Sequence, residues 1–134
     1  MEKTYVMLKP DAIQRKLMGQ ILTRIERKGL QIENMKMFTL NETILKEHYA
    51  HLKDKPFFPE IVEYMTSGPV VGMIVSGANA VAAMRKILGA TNPLEAEVGT
   101  IRGDFALETR YNLVHASDSV ENAQIEIERF FGTC

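Results

Sequence analysis

The sequence predicts an α+β fold in which the elements follow the order βαββαβ and helices cover one face of a sheet. Two features of the chain lead to this prediction. Short apolar runs, which are typical of strands, alternate with segments whose apolar residues recur every third or fourth position, as on one side of a helix. The chain has 134 residues, an ordinary size for one domain, so we expect residues 1–134 to form a single domain.

The strands are predicted from apolar runs that end at residues unsuited to a sheet. Pro10 ends the first run, because proline has no N–H to donate to a neighbouring strand. Ser67, Gly68 and Pro69 form a turn before the third run. The predicted strands cover residues 3–8, 32–38, 70–75 and 113–116.

The helices are predicted from amphipathic spacing and from residues that favour helix ends. Asn41 is a favourable N-cap, and residues 118–121 resemble a capping box. Residues 90–104 show no periodicity, and loops of this length are usually functional or mobile. The predicted helices cover residues 21–28, 42–52, 59–65 and 78–88, and a last one follows residue 118 with an apolar stripe at Ala123, Ile127, Phe130 and Phe131.

Charge and composition exclude several classes of protein. The formal net charge is −1, with 46% hydrophobic and 25% charged residues, which is an ordinary globular balance. A duplex-binding protein would show an excess of lysine and arginine, so any phosphate binding must be local. The only cysteine, Cys134, allows no intrachain disulfide, and the N-terminal residues lack the apolar stretch of a signal peptide. We expect a cytoplasmic protein with no membrane partner and no dedicated nucleic-acid site.

Residues 112–119 contain the best candidate for a catalytic group. His115 stands where a strand gives way to a helix, its small neighbours leave the imidazole open, and the helix N-terminus favours negative charge. A neutral imidazole can attack phosphorus without a strong base. Glu126, on the flank of the last apolar stripe, is the natural group to orient the ring. Two alternatives stay open: His115 as a hydrogen-bonded structural residue, and Glu126 as a surface residue paired with Arg129.

Phosphoryl transfer also requires fixed positive charge on the transferred group. The candidates are Lys9 after the first strand, Arg85 on a helix and Arg102 in the glycine-containing loop, although each could be a solvated surface charge. The Walker A pattern and the HRD and DFG segments of protein kinases do not occur in the sequence. His48 and His51 lack a third ligand nearby, so we interpret them as helix-face residues and not as a zinc site.

Seven short segments of the chain form a recognisable series. They are Lys-Pro-Asp at 9–11, His-Tyr at 48–49, Lys-Pro-Phe-Phe at 55–58, Ser-Gly-Pro-Val at 67–70, Thr-Asn-Pro at 91–93, Gly-Thr-Ile-Arg-Gly-Asp-Phe at 99–105 and the histidine segment at 112–119. In this order they closely resemble the nucleoside diphosphate kinases. The match extends over nearly the whole chain, and its histidine and arginine segments together are very specific. Coincidence is a poor explanation for both.

This resemblance implies a ferredoxin-like fold with an antiparallel sheet, and magnesium-dependent exchange of the γ-phosphoryl group between nucleoside triphosphates and diphosphates by a ping-pong route. The magnesium would be held mainly by the nucleotide phosphates, with no protein ligand expected. The implied catalytic residues are His115, which would be phosphorylated, Glu126, Ser117 and Tyr49. The implied nucleotide-binding residues are Lys9 at the sugar and phosphates, Asn112 at the ribose, Phe57 on the base, and Arg85, Thr91 and Arg102 at the phosphates.

The resemblance also implies a homo-oligomer, with a tetramer or hexamer expected, and a loop at 90–103 that reaches subunit contacts. Two departures from the family pattern are Ala116, where glycine is common, and the run Thr109-Arg110-Tyr111 before Asn112. A catalytically silent ferredoxin-like regulatory or binding module is an alternative from another class, and a phosphohistidine relay to a protein is an alternative among enzymes. The intact set of candidate catalytic and phosphate-binding residues favours a nucleotide kinase.

Overall fold

The computed structural model describes residues 1–132, so Cys134 lies outside the described residues. The sheet has four antiparallel strands in the order β2-β3-β1-β4. These strands are β1 (Glu2–Leu8), β2 (Gln31–Phe38), β3 (Val70–Gly77) and β4 (Val114–Ala116). The arrangement confirms the predicted antiparallel α+β fold, with each strand close to its predicted position.

Helices of different lengths connect and cover the strands. They are α1 (Pro10–Gln14), α2 (Met18–Arg27), α3 (Glu42–His48), α4 (Phe58–Met65), α5 (Ala80–Leu88), α6 (Ile101–Phe105) and α7 (Val120–Phe131), and a 3₁₀ turn covers Thr109–Tyr111. The N-cap of α7 is Ser119, whose side chain accepts a hydrogen bond from the N–H of Asn122. The third helical position is therefore Asn122 and not Glu121, so residues 118–121 mark the helix start but do not form the predicted capping box. No helix within residues 1–132 is long and apolar enough to cross a membrane.

Helices cover both faces of the sheet, and not one face as the order of elements suggested. On β1, Val6 and Leu8 belong to a core cluster with residues of α2 and α5, whereas Tyr5 and Met7 belong to another with residues of α3, α4 and α7. All four side chains are fully buried. A strand that is covered on both faces has no polar side, so the apolar run of β1 could not reveal how many faces were covered.

The largest differences between the predicted and the observed helices concern α1, α3 and α6. α1 begins directly at Pro10, since proline at the first helical position sacrifices no hydrogen bond. α3 ends at His48, short of the predicted end at residue 52, and His51 lies in the following turn, so the two histidines do not share a helix. α6 lies inside the predicted loop, where the side chain of Thr100 caps it by accepting a hydrogen bond from the N–H of Gly103.

Candidate active site

His115 lies in the short edge strand β4, opposite Met7 of β1. Just after the strand, the backbone N–H of Ser117 donates to the carbonyl of Tyr5 over 3.1 Å. The chain then enters α7, which packs along β1 and carries Glu126 back to the imidazole of His115. The junction between strand and helix therefore brings a possible nucleophile and an acidic group together.

The side chains of His115, Glu126 and Ser117 form one hydrogen-bonded group. Nε2 of His115 lies 2.9 Å from Oε1 of Glu126, and Oγ of Ser117 donates to the same carboxylate oxygen over 2.7 Å. The Ser117 oxygen accepts a hydrogen bond from the backbone N–H of Tyr5 over 3.2 Å. Ser117 is fully buried, and the Glu126 side chain is only 13% exposed. The sheet and α7 together thus fix the orientation of the imidazole.

This arrangement determines which ring nitrogen of His115 is free. An ionised carboxylate only accepts, so Nε2 carries the hydrogen that it shares with Glu126, and Nδ1 keeps its lone pair. Within residues 1–132, no group forms a hydrogen bond to Nδ1. Burial alone would raise the pKa of Glu126, but the hydrogen bonds from His115 and Ser117 and the attraction of the imidazole outweigh it and lower that pKa. The carboxylate is therefore ionised at neutral pH.

The backbone before His115 adopts a strained turn that Arg102 stabilises. Leu113 has a φ of 73°, and the N–H of Val114 donates to the carbonyl of Asn112 over 2.8 Å, which closes a γ-turn. Arg102 donates from Nε to the Asn112 carbonyl over 3.3 Å and from Nη2 to the Val114 carbonyl over 2.6 Å. Such strain persists only where neighbouring groups fix the backbone, so Arg102 supports the strand that carries the histidine.

A cleft of three adjoining cavities leads away from the His115 imidazole. Tyr49 lines both the cavity at His115 and the next one, each of about 480 Å³. Arg85 lines the His115 cavity and a third cavity of about 590 Å³, and Thr91 connects that third cavity to the second. The cleft brings together most of the predicted site residues: His115, Glu126, Tyr49, Arg85, Thr91, Phe57, Lys9 and Asn112.

Two predicted site residues lie behind the cleft. Ser117 is buried against Glu126. Arg102 is 4% exposed and donates from Nη1 to the carbonyl of Gly89 over 3.2 Å, in addition to its bonds to the γ-turn. A guanidinium has five N–H groups, and three backbone carbonyls accept bonds from this one. The sequence suggested a phosphate contact for Arg102 but gave no sign of this bracing role.

Positively charged side chains near the cleft help to lower the pKa values of Lys9 and Arg102. Burial lowers the pKa of Lys9 to about 8, and the charge of Arg102 adds to the effect. The Nζ atom of Lys9 donates to Oδ1 of Asn112 over 2.8 Å. Burial likewise lowers the pKa of Arg102 to about 10, with a contribution from Arg85. An anionic ligand would relieve the repulsion among these groups, so the cleft is suited to phosphate.

Glu126 turns toward His115, so the alternative in which it pairs with Arg129 on the surface is wrong. Arg129 instead donates from Nη1 to Nδ1 of His48 over 2.9 Å. The His48 ring packs edge-on against the His115 ring, with 4.9 Å between their centroids. The sequence does not reveal this contact, because the spacing of residues on a helix does not tell which strand the end of that helix approaches.

His48 is a neutral ring whose hydrogen lies on Nε2. Burial lowers its pKa to about 3, with contributions from the neighbouring His115 and Arg129, and its Nδ1 must keep a lone pair to accept from Arg129. Possible metal-ligating atoms of His48, His115 and Glu126 lie within 4.8 Å of one another. A ring N–H cannot coordinate a metal, and Mg²⁺ prefers oxygen ligands. This group of side chains therefore does not fit a magnesium site.

An imidazole with a free Nδ1 at the end of a cation-lined cleft is the arrangement that phosphoryl transfer through a nucleophilic side chain requires. Together with the α+β fold, it defines the molecule as a phosphotransferase. Comparisons with known proteins identify the family within that class.

A sequence model of the family described as nucleoside diphosphate kinase matches residues 2–134. The nucleoside diphosphate kinase of Methanobrevibacter smithii is 53% identical over 130 residues, which cover 97% of this chain and 87% of the relative. The crystal structure of the apo enzyme from Encephalitozoon cuniculi has a TM-score of 0.96 and 47% identity, over 99% of this chain and 90% of that one. A Halobacterium salinarum nucleoside diphosphate kinase in complex with CDP has a TM-score of 0.94 and 44% identity, over 98% and 88%. The chain belongs to the nucleoside diphosphate kinase family and is an enzyme of that kind.

Proposed function

We propose that this enzyme transfers the γ-phosphoryl group from a nucleoside triphosphate to a nucleoside diphosphate by a ping-pong route, with Nδ1 of His115 as the carrier. The main support for this proposal is the hydrogen bond between Nε2 of His115 and the carboxylate of Glu126. Because Nε2 holds the ring hydrogen, Nδ1 is the nitrogen with an available lone pair, and the ring lines the cleft.

In the first half-reaction, Nδ1 of His115 attacks the γ-phosphorus of the bound triphosphate. The N–P bond forms while the bond between phosphorus and the β–γ bridging oxygen breaks, and the diphosphate leaves. The ring becomes positively charged without losing a proton, and the Glu126 carboxylate at 2.9 Å stabilises that charge. In the second half-reaction, a terminal phosphate oxygen of another diphosphate attacks phosphorus, the N–P bond breaks, and the neutral imidazole returns.

The rest of the cleft would bind the nucleotide. We expect Arg85 and Thr91, in the cavity next to the histidine, to contact the phosphates. Lys9 and Asn112, joined by their hydrogen bond, would contact the sugar, with the Lys9 charge also close to the phosphates. Phe57 is 44% exposed on the wall of the cleft and offers a ring face to the base.

Three further residues would support the reaction. Burial and the charge of Glu126 raise the pKa of Tyr49 to about 12, so its hydroxyl stays protonated and can donate to the transferred group. Ser117 keeps Glu126 in position through its 2.7 Å hydrogen bond. Arg102 braces the strand of the nucleophile and has further N–H groups for phosphate oxygens.

Magnesium fits this cleft as part of the substrate. The Glu126 carboxylate is already bonded to His115 and Ser117, and cations line the cleft where phosphates would lie. Mg²⁺ keeps several waters and usually enters such sites on substrate phosphates. When bound, it neutralises charge on the phosphate oxygens, while Arg85 and Thr91 would hold the phosphates that carry it.

We also propose that the domain of residues 1–134 works in the cytoplasm as a homo-oligomer, either a tetramer or a hexamer. The edge strand β2 carries Met35 and Met37, whose side chains are 48% and 55% exposed. Leu94 and Val98, in the segment between α5 and α6, are 81% and 91% exposed. Exposed apolar side chains on an edge strand and in a loop favour contacts with further copies of the chain.

Incubation with γ-labelled ATP and magnesium, without an acceptor, tests the phosphohistidine. The label should enter the protein in an acid-labile, alkali-stable form and leave when a nucleoside diphosphate is added. His115→Ala should abolish both labelling and turnover, since the nucleophile is lost, whereas His51→Ala should still be labelled. Labelling of purified His115→Ala at the wild-type level would overturn the assignment, and transfer of the label only to a protein would support a relay.

A further inference from the structure

An ion pair lies at the mouth of the cavity that contains Phe57. Nη2 of Arg110, in the 3₁₀ turn, lies 2.9 Å from Oε2 of Glu60 in α4. Both residues line the same cavity as Phe57 and Asn112. The side chains of Arg110 and Glu60 are 53% and 58% exposed, whereas Asn112 is 5% exposed. The pair therefore stands at the outer end of the cleft, where a base on Phe57 would present its edge.

Aromatic contacts position this ion pair. The ring of Tyr111 packs edge-on against that of Tyr64 in α4, with 5.1 Å between the centroids. The guanidinium of Arg110 lies 5.8 Å from the centre of the Tyr111 ring. An aromatic contact and an ion pair thus join the 3₁₀ turn to α4. As a result, Glu60 and Arg110 face each other across the cavity mouth.

We propose that Glu60 and Arg110 recognise the edge of the nucleobase and favour guanine, an inference that rests on the proposed function. Oε1 of Glu60 and the other N–H groups of Arg110 take no part in the ion pair. Guanine offers two adjacent N–H donors, at N1 and N2, that match the two oxygens of a carboxylate. Its O6 and N7 atoms are acceptors for a guanidinium. Glu60 thus complements the N–H donors of guanine, and Arg110 complements its acceptors.

The preference for guanine should be modest. Both side chains are more than half exposed, so they are hydrated in the free enzyme. A bound base therefore gains only the difference in free energy between hydrogen bonds to water and hydrogen bonds to the protein. An exposed ion pair contributes little to folding and can open at low cost. We expect the 2-amino group to raise kcat/KM about three- to tenfold, the effect of one ordinary hydrogen bond.

Inosine diphosphate is the sharpest probe, because its base differs from guanine only by the missing 2-amino group. The wild-type enzyme should use GDP with a kcat/KM about three- to tenfold above that for IDP. Glu60→Gln should bring this ratio close to one, since the amide presents a single acceptor and no charge. Glu63→Gln is the matched control, because Glu63 is exposed on the same helix but does not line the cavity.

Arg110→Gln provides an independent measurement. It removes the donor to O6 and N7, which guanine and hypoxanthine share, so it should lower kcat/KM for GDP and IDP together relative to CDP. Both variants change exposed side chains, and an unchanged melting temperature will verify that they fold.

The outcomes distinguish the proposal from its alternatives. A wild-type GDP to IDP ratio of one, or an unchanged ratio in Glu60→Gln, would overturn recognition of the 2-amino group by Glu60. An equal loss with every diphosphate would indicate altered stacking on Phe57 and would overturn it as well. Failure of the proposed function looks different: the wild type and Glu63→Gln would then neither form the labelled phosphohistidine nor transfer the label.

Discussion

The carboxylate of Glu126 lies 2.9 Å from Nε2 of His115, although eleven positions separate the two residues in the chain. The short strand β4 ends at Ala116, α7 begins at Val120, and the helix runs back along the sheet. Ser117, between the two elements, donates to the same carboxylate oxygen. The path of the backbone thus places the acidic group on Nε2 and leaves Nδ1, the proposed nucleophile, free.

The first prediction concerns Glu126→Gln, which keeps the size of the side chain but removes its charge. The amide can still accept a hydrogen bond from His115, but it cannot stabilise a positive ring in the same way. We expect the rate of phosphoenzyme formation, measured in a single turnover, to fall by about 10²- to 10³-fold without vanishing. Glu128→Gln, an exposed change on the same helix, is the control. Wild-type kinetics in Glu126→Gln would contradict the orienting role.

The second prediction separates two arginines that the sequence could not distinguish. Arg102→Lys keeps a charge but loses the planar fork that reaches the carbonyls of Gly89, Asn112 and Val114. We expect the free energy of unfolding in urea to fall by about 1–3 kcal/mol, because a buried carbonyl loses its partner. kcat should fall as well, since the strand that carries His115 is less well fixed.

Arg85→Lys is the matched comparison for Arg102→Lys. Arg85 is exposed, and its described hydrogen bond, to the carbonyl of Ala116, is 3.4 Å long. This variant should lose activity through weaker phosphate binding while its stability stays near that of the wild type. Equal stability of both variants would show that Arg102 does not brace the γ-turn.

The third prediction follows from the buried, neutral imidazole of His48. Its pKa in the folded protein, about 3, lies below the ordinary value of 6.5. Below pH 6.5 the unfolded chain therefore binds a proton that the folded chain does not, and stability falls as the pH decreases from about 6.5 toward 3. The contribution is present in full above pH 6.5.

Urea unfolding at several pH values between 8 and 5 tests this linkage. We expect the wild type to lose stability over this range, with a slope that approaches about 1.4 kcal/mol per pH unit from this one group. His48→Gln, whose amide oxygen can still accept from Arg129, should show a smaller slope. Parallel curves for the two proteins would mean that another group is responsible.

Much of the fold could be predicted because the relevant signals are local. Asn41 caps α3 by accepting a hydrogen bond from the N–H of Ile44, as its residue type suggested. β1 and β3 are apolar runs, β2 carries apolar residues among charged and polar ones, and the histidine segment has a recognisable pattern. α1 was missed because Pro10 ends a strand and begins a helix equally well. The number of covered faces was wrong because β1 is apolar on both.

Contacts between distant segments could not be read from spacing. The 2.9 Å bond from Arg129 to His48 joins residues 81 positions apart. Glu60 and Arg110 are fifty positions apart in the sequence, and only the approach of α4 to the 3₁₀ turn makes them neighbours at the cleft. Both contacts depend on how the helices pack on the sheet. The local pattern of residues along the chain does not reveal that packing.

The fourth prediction is that the protein forms a symmetric oligomer. Light scattering at micromolar concentration should give a mass four or six times 15.1 kDa. Combined replacement of Met35 and Met37 by lysine should weaken assembly, because it places charges on the exposed edge strand β2. A single species of 15.1 kDa for the wild type would contradict the prediction.

The last prediction is broad tolerance of the nucleobase. Every base has a π-face, so stacking on Phe57 adds affinity without separating purines from pyrimidines. Strong discrimination requires buried donors and acceptors that lose their partners with the wrong base, but the charged groups at the base edge, Glu60 and Arg110, are more than half exposed. The kcat/KM values for ADP, GDP, CDP, UDP and dTDP with a common donor should therefore stay within about one order of magnitude, with GDP at the upper end. Phe57→Ala should lower all five by a similar factor, whereas an advantage of roughly 10⁴ for one base would require a buried recognition group.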